Sequence, residues 1–124
     1  MEKKKILIVD DDKVILDIVK DALTQEGYSV FTSDQPLGTS NKVAQIKPHL
    51  VVLDVGMPGL SGDKICRNLK ESNIFKEIKV ILFSIKTREE LEKLAAESQA
   101  DDFLTKSDNL QKLVKKVKHH LKVP

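Results

Sequence analysis

Five short apolar runs recur along the chain, spaced so that one helix fits between each pair. They are ILIV (6–9), SVF (29–31), LVVL (50–53), VILF (80–83) and DFL (102–104), and most are rich in β-branched residues. The segments between them change period. Ile15, Ile18, Val19, Ala22 and Leu23 recur at i, i+3, i+4, i+7 and i+8, and Leu110, Leu113, Val114, Val117 and Leu121 do nearly the same. Such spacing puts one apolar stripe on a helix. The punctuation agrees. TREE (87–90) has the form of a capping box, with Thr87 as N-cap and Glu90 three residues on. Gly27 stands where a C′ glycine closes the first helix, and Asp108 is placed to cap the last. Only 34–46 is awkward, because Pro36 and Gly38 leave about two turns for a second helix. Strand alternating with helix five times predicts a doubly wound α/β fold, a parallel sheet covered on both faces. Continuous apolar strands such as LVVL fit burial on both sides.

The rest of the chain narrows the class. Its 124 residues suit one domain, 1–124, with no repeat and no linker-like tract. A formal net charge of +2 creates no field that calls for nucleic acid or a membrane surface. The lone Cys66 excludes an internal disulfide and fits a reducing compartment. MEKKK is followed by only four apolar residues before Asp10, too few for a signal peptide, and no apolar stretch is long enough to span a bilayer. The cytoplasm is the expected location.

In sheets of this kind, chemistry gathers beyond the carboxyl ends of the strands. Strand one is followed by Asp10, Asp11 and Asp12. Strand three is followed by Asp54 and then VGMPGLSG, strand four by Ser84 and strand five by Lys106. Carboxylates, a hydroxyl and an ammonium therefore converge on one edge. Three adjacent acids at the mouth of an apolar core make sense around a hard divalent cation, and Mg²⁺ takes oxygen ligands of this kind. Asp12 reads as the N-cap of the first helix rather than as a ligand. Cys66, beside Ile65 and Leu69, reads as core packing. His119 and His120 read as surface residues, and His49 has no assigned role. The lysines of the last helix read as a solvated face, since no arginine or aromatic accompanies them.

ILIVDDD, VVLDVGMPGLSG, VILFS and ADDFLTK together resemble the receiver domain of two-component response regulators, from about Lys4 to Leu121. The resemblance implies a flavodoxin-like sheet of order 2-1-3-4-5, the order found in a chemotaxis regulator of this family. It implies that Asp54 accepts a phosphoryl group from a histidine kinase or phosphotransfer protein, and that Mg²⁺ is held by Asp11, Asp54 and the Gly56 carbonyl, with Asp10 holding metal waters. Lys106 would pair with Asp54, Ser84 would bond a phosphoryl oxygen, and Phe103 would be the switch aromatic. Such a chain is not an enzyme in the usual sense; it catalyses only its own phosphorylation and dephosphorylation. Phosphoryl transfer is mainly positioning plus charge stabilisation, which this set of residues can supply.

Two rival readings compete. DDDKV also fits the D-x-D-x-V of a haloacid-dehalogenase-type phosphatase, with Asp10 as nucleophile and Asp12 as acid/base. That reading leaves Asp54 unexplained, and its closing acidic pair, Asp101 and Asp102, precedes strand five instead of following it. A pseudo-receiver, an interaction module that never uses phosphate, is the other. Ile85 stands where receivers usually carry a small residue and should crowd the route to Asp54. Ser107 stands where they usually carry proline, so the Lys106–Ser107 bond is expected to be trans.

The sequence stops soon after the fifth helix, as in a stand-alone receiver or a piece cut from a longer regulator. Output is expected through the surface of helix four, strand five and helix five. Glu89, Glu92 and Glu97 on one helix and Lys112, Lys115 and Lys116 on the other would permit a self-complementary homodimer or the binding of a charged downstream protein.

Overall fold

The computed structural model describes residues 2–122. The elements run β1 (Lys5–Val9), α1 (Lys13–Gln25), β2 (Ser29–Ser33), α2 (Thr39–Ile46), β3 (Leu50–Leu53), α3 (Gly62–Glu71), β4 (Lys79–Ser84), α4 (Arg88–Ser98), β5 (Asp102–Thr105) and α5 (Leu110–Leu121). The strands form one parallel sheet in the order β2-β1-β3-β4-β5. The apolar runs mark its strands, with ends shifted by a residue or two. None of the described helices is long and apolar enough to cross a membrane.

Alternation along the strands divides the core in two. Leu7, Val9, Val51, Leu53, Val80 and Leu82 pack on one face against α2, α3 and α4. Ile6, Ile8, Val52, Ile81, Phe83 and Leu104 pack on the other against α1 and α5. β1 and β3 lie inside the sheet and are apolar on both faces, which is why their sequences show no polar alternation. Cys66 is buried, its thiol donates to the Ser98 carbonyl at 3.4 Å, and burial pushes its pKa up to about 11. It is a core residue with little thiolate character.

Local chemistry sets the helix ends. Asp12 caps α1 through its Oδ1, which accepts from the Val14 and Ile15 N–H groups at 3.0 and 3.3 Å. Gly27, at φ +97°, turns the chain out of α1. Thr87 and Glu90 form both halves of the capping box on α4. The awkward segment resolves into eight residues of α2, entered through Gly38. One expectation fails: Asn109, not Asp108, caps α5, its side chain accepting from the Lys112 N–H at 3.0 Å. Asp108 instead pairs with the Lys112 ammonium one turn on, at 2.9 Å.

Among the glycines, the tightest backbone approach lies beside Asp54. A Cβ added to Gly62 would sit 2.2 Å from the Asp54 carbonyl oxygen, so only glycine lets the first turn of α3 lie against the end of β3. Gly56 has no such constraint; its added Cβ would meet Asp54 Oδ1 at 3.9 Å, an ordinary contact. Gly62→Ala is therefore expected to lower stability by about 1–3 kcal/mol, while Gly56→Ala costs under about 1 kcal/mol. Urea midpoints of the two variants measure the difference.

Candidate functional site

Parallel register brings the acids together. Val9 is the partner of Leu53, so Asp10 and Asp54 leave their strands side by side. The Asp54 N–H donates to the Val9 carbonyl at 3.0 Å, and the Asp10 N–H to the Ser33 carbonyl at 3.1 Å. Both residues are buried, whereas Asp11 turns outward into solvent. One carboxylate oxygen from each of the three lies within 4.8 Å of the others. The set is all hard oxygen, two members buried and one wet. It suits Mg²⁺, which is held by one or two carboxylates and keeps several waters.

Lys106 arrives from the other side of the sheet. Ser84 is the partner of Thr105, and the Lys106 N–H donates to the Ser84 carbonyl at 2.7 Å, so the lysine leaves β5 locked to the end of β4. Its side chain passes the Phe83 ring, the ammonium lying 5.9 Å from the ring centroid. It then reaches Asp10 Oδ2 at 2.6 Å and Asp54 Oδ2 at 3.6 Å, with its own side chain only 10% exposed. The expected Lys106–Asp54 pair is thus the looser of two contacts. Burial raises the pKa of Asp10, and the neighbouring Asp54 charge adds to this; Lys106 and the Asp12 N–H work against it without cancelling it. The more deeply held carboxylate takes the tighter contact. Asp10 also accepts the Asp12 N–H on Oδ1 at 2.9 Å, so both its oxygens are engaged. Asp54 Oδ1 accepts only the Gly56 N–H, at 3.2 Å.

Ser84 is fully buried, and its hydroxyl accepts the Lys86 N–H at 3.4 Å. Phe103 is half-buried. It is the second residue of β5, opposite Leu82, and so lies two residues short of the level of Ser84. Ile85 is 82% exposed, so little of it packs against neighbouring side chains. The Lys106–Ser107 bond is trans. Thr105 shapes the turn that follows, its carbonyl accepting the Asp108 N–H at 3.0 Å and its hydroxyl the Ser107 N–H at 3.3 Å.

Several contacts had no signal in the sequence. The Arg88 guanidinium lies over the Phe103 ring, 5.8 Å from its centroid, and both line a cavity of about 160 Å³ between α4, β5 and α5. Asp101 binds the Lys70 ammonium at 2.6 Å and the Val80 N–H at 2.8 Å. Asp102 binds Lys116 at 2.8 Å and His120 Nε2 at 2.9 Å, so His120 is not the free surface residue expected. Both acids lie at the amino end of β5, the edge opposite Asp10, where the phosphatase reading cannot use them. Burial opposes ionisation of Asp102, but hydrogen bonds from Lys116, His120 and the Phe103 N–H outweigh it and hold the carboxyl below its ordinary 3.8. A depressed carboxyl pKa contributes stability that is present above 3.8 and lost as pH falls through the folded value. Asp102→Asn should therefore be less stable than wild type at neutral pH, with the gap narrowing in acid. Denaturation midpoints of the two proteins across that range measure it.

The response regulator receiver domain profile matches residues 6–118. Among solved structures, the response regulator DrrB of Thermotoga maritima, an OmpR/PhoB homologue, superposes at a TM-score of 0.87 with 37% identity. That match covers 98% of this chain and 54% of DrrB, so the chain spans about half the length of that regulator. The BeF3-activated DrrB receiver domain alone matches at 0.84 and 37%, covering 98% of this chain and 100% of that one. A CheY-like receiver domain protein of Methanospirillum hungatei matches at 0.86 and 27%, covering 95% and 93%. By its sequence and its fold, this chain belongs to the response regulator receiver domain family.

Proposed function

We propose that Asp54 accepts a phosphoryl group from a phosphohistidine of a partner kinase or phosphotransfer protein. An Asp54 carboxylate oxygen forms the new O–P bond while the donor N–P bond breaks and the leaving imidazole recovers its electron pair. The observation that carries this reading is the division of labour around Lys106. Asp10 is held through both oxygens, while Asp54 is restrained only by one long ammonium contact and one backbone N–H, which leaves it the carboxylate free to attack.

Asp11 and Asp54, with the Gly56 carbonyl, would hold Mg²⁺, and Asp10 would position its waters. The ion supplies charge neutralisation for the phosphoryl oxygens. Lys106 then compensates the charge that the aspartyl phosphate adds, and the buried Ser84 hydroxyl is the donor available to a phosphoryl oxygen. Asp12 is exposed and holds the cap of α1 through its Oδ1, the structural role expected of it, which disfavours the phosphatase reading.

The phosphorylated state is read by another protein through α4, β5 and α5, where Phe103 responds to Ser84. The charge-matched homodimer is the weaker form of this idea. Lys112 and Lys116 are already paired within the chain, to Asp108 and Asp102, which leaves only Lys115 of the three to meet a partner. A charged target protein that engages α4 does not need those pairs broken.

With Mg²⁺ and a small acyl phosphate, wild type should gain one phosphoryl group by intact mass, and Asp54→Asn none. Asp10→Asn and Lys106→Ala should label slowly and Ile85→Ala at the wild-type rate. Labelling of Asp54→Asn equal to wild type would overturn the assignment. Failure of wild type to label with any acyl phosphate or kinase would favour a receiver fold used only for binding.

A further inference from the structure

The edge of the sheet opposite the acidic cluster carries a second feature, unrelated to phosphoryl transfer. A groove of about 420 Å³ opens between the end of α2 and the loop from α3 to β4. Its lining is almost wholly apolar, with Val43, Pro48, Ile74, Phe75 and Ile78 as the main walls. Ile74 is 82% exposed, one of the two most exposed large hydrophobic side chains described. A second cavity of about 330 Å³ adjoins it and shares Pro48 and Ile78. This one is basic, bordered by Lys4, Lys79 and Lys122 with His49 and His120, and Lys47 borders the first. Glu77 is the one acid among the described residues lining either.

These cations are mostly uncommitted. Among the described residues, Lys4, Lys47 and Lys122 make no ion pair, and Lys79 reaches Asp101 only at 3.9 Å. His49 Nδ1 accepts the Lys5 N–H at 3.0 Å, which leaves the ring proton on Nε2 as a donor. Burial holds the His49 pKa below its ordinary value, and the charges of Lys4 and Lys5 act in the same direction. Apolar surface and positive charge thus run side by side along one trench. An anchor chain needs the first, and carboxylates need the second.

We propose that this trench docks an acidic amphipathic segment of a partner protein, its apolar side chains entering the groove beside Ile74 and its carboxylates meeting Lys4, Lys47, Lys79 and Lys122. Charge complementarity selects such a segment over a second copy of this chain. The trench is itself basic, and the chain's own acidic helix, α4, has its apolar residues Leu91 and Ala95 buried, so a second copy could offer it carboxylates but no anchor. Val14, Ile18, Phe31, Leu37 and Ile85, the other exposed apolar residues described, do not line it. The apolar floor selects it over a small anion, which would leave Ile74 and Phe75 unused. Binding of this kind relies on a few apolar anchors and is steered by charge, so it should weaken with salt.

The test uses the full chain and a synthetic peptide of about 16 residues, with leucines at i, i+3, i+4 and i+7 and glutamates on the flanks. Amide chemical shifts should change saturably at residues 43–49 and 74–79. A peptide of the same composition with its leucines scrambled should bind at least about fivefold more weakly. Ile74→Ser, at an exposed position with no folding role, should lose a similar factor, and so should Lys4→Gln combined with Lys47→Gln. All variants should keep wild-type labelling with acyl phosphate, because none touches Asp54 or its partners. Equal binding of the scrambled peptide, or the same shifts on adding ATP in EDTA, would reduce the trench to a general anion patch and overturn the proposal. So would shifts centred on the α5 lysines, or no saturable shift at all.

Discussion

A single ammonium group reconciles two carboxylates that burial would otherwise set against each other. Asp10 and Asp54 are forced side by side by the register of β1 and β3, both almost excluded from water. Lys106 reaches them at 2.6 and 3.6 Å from the far strand of the sheet. Buried ions are tolerated only when paired and hydrogen-bonded, and this one lysine serves two. The site is therefore a product of the whole sheet, since its members come from β1, β3 and β5 and meet only if three strand registers hold at once. Any group that adds negative charge at Asp54 must redistribute the same ammonium, and this couples chemistry at one residue to the position of a strand end.

The machinery that transmits such a change is local. The Lys106 N–H is bonded to the Ser84 carbonyl, which ties the ends of β4 and β5 together. Ser84 lies beneath the loop that begins α4, and the first residue of α4, Arg88, covers Phe103. A cation over an aromatic face is worth about 0.5–1 kcal/mol at an exposed site. That is enough to bias the ring and small enough for a phosphoryl group to override. On the other side, Gly62 lets α3 press against the Asp54 carbonyl, which fixes the backbone from which the proposed nucleophile projects.

The fold was largely legible in the sequence because its signals are local. β-branched runs, helical periodicity, the TREE capping box and the Gly27 stop each act within a few residues, and the strand order followed from the family resemblance. Asp10, Asp54 and Lys106 could be named because each directly follows a strand, and Ser84 because it ends one. The preference of Lys106 for Asp10 could not be read, since it depends on relative burial across strands far apart in sequence. Asn109 took the cap from Asp108 by one residue, a margin below the reach of cap preferences alone. His120 was misread because its partner, Asp102, is eighteen residues away and meets it only once α5 lies across β5. Ile85, placed over the site by the resemblance, keeps most of its surface in solvent.

If Asp54, the less restrained of the two buried carboxylates, is the nucleophile, Asp10 should stay unmodified. Reduction with borohydride converts an aspartyl phosphate to homoserine, so peptide mapping of reduced, phosphodonor-treated protein reads the attacked residue directly. Homoserine is expected at position 54, with position 10 unmodified. Homoserine at position 10 would contradict this assignment and return the chain to phosphatase-like chemistry.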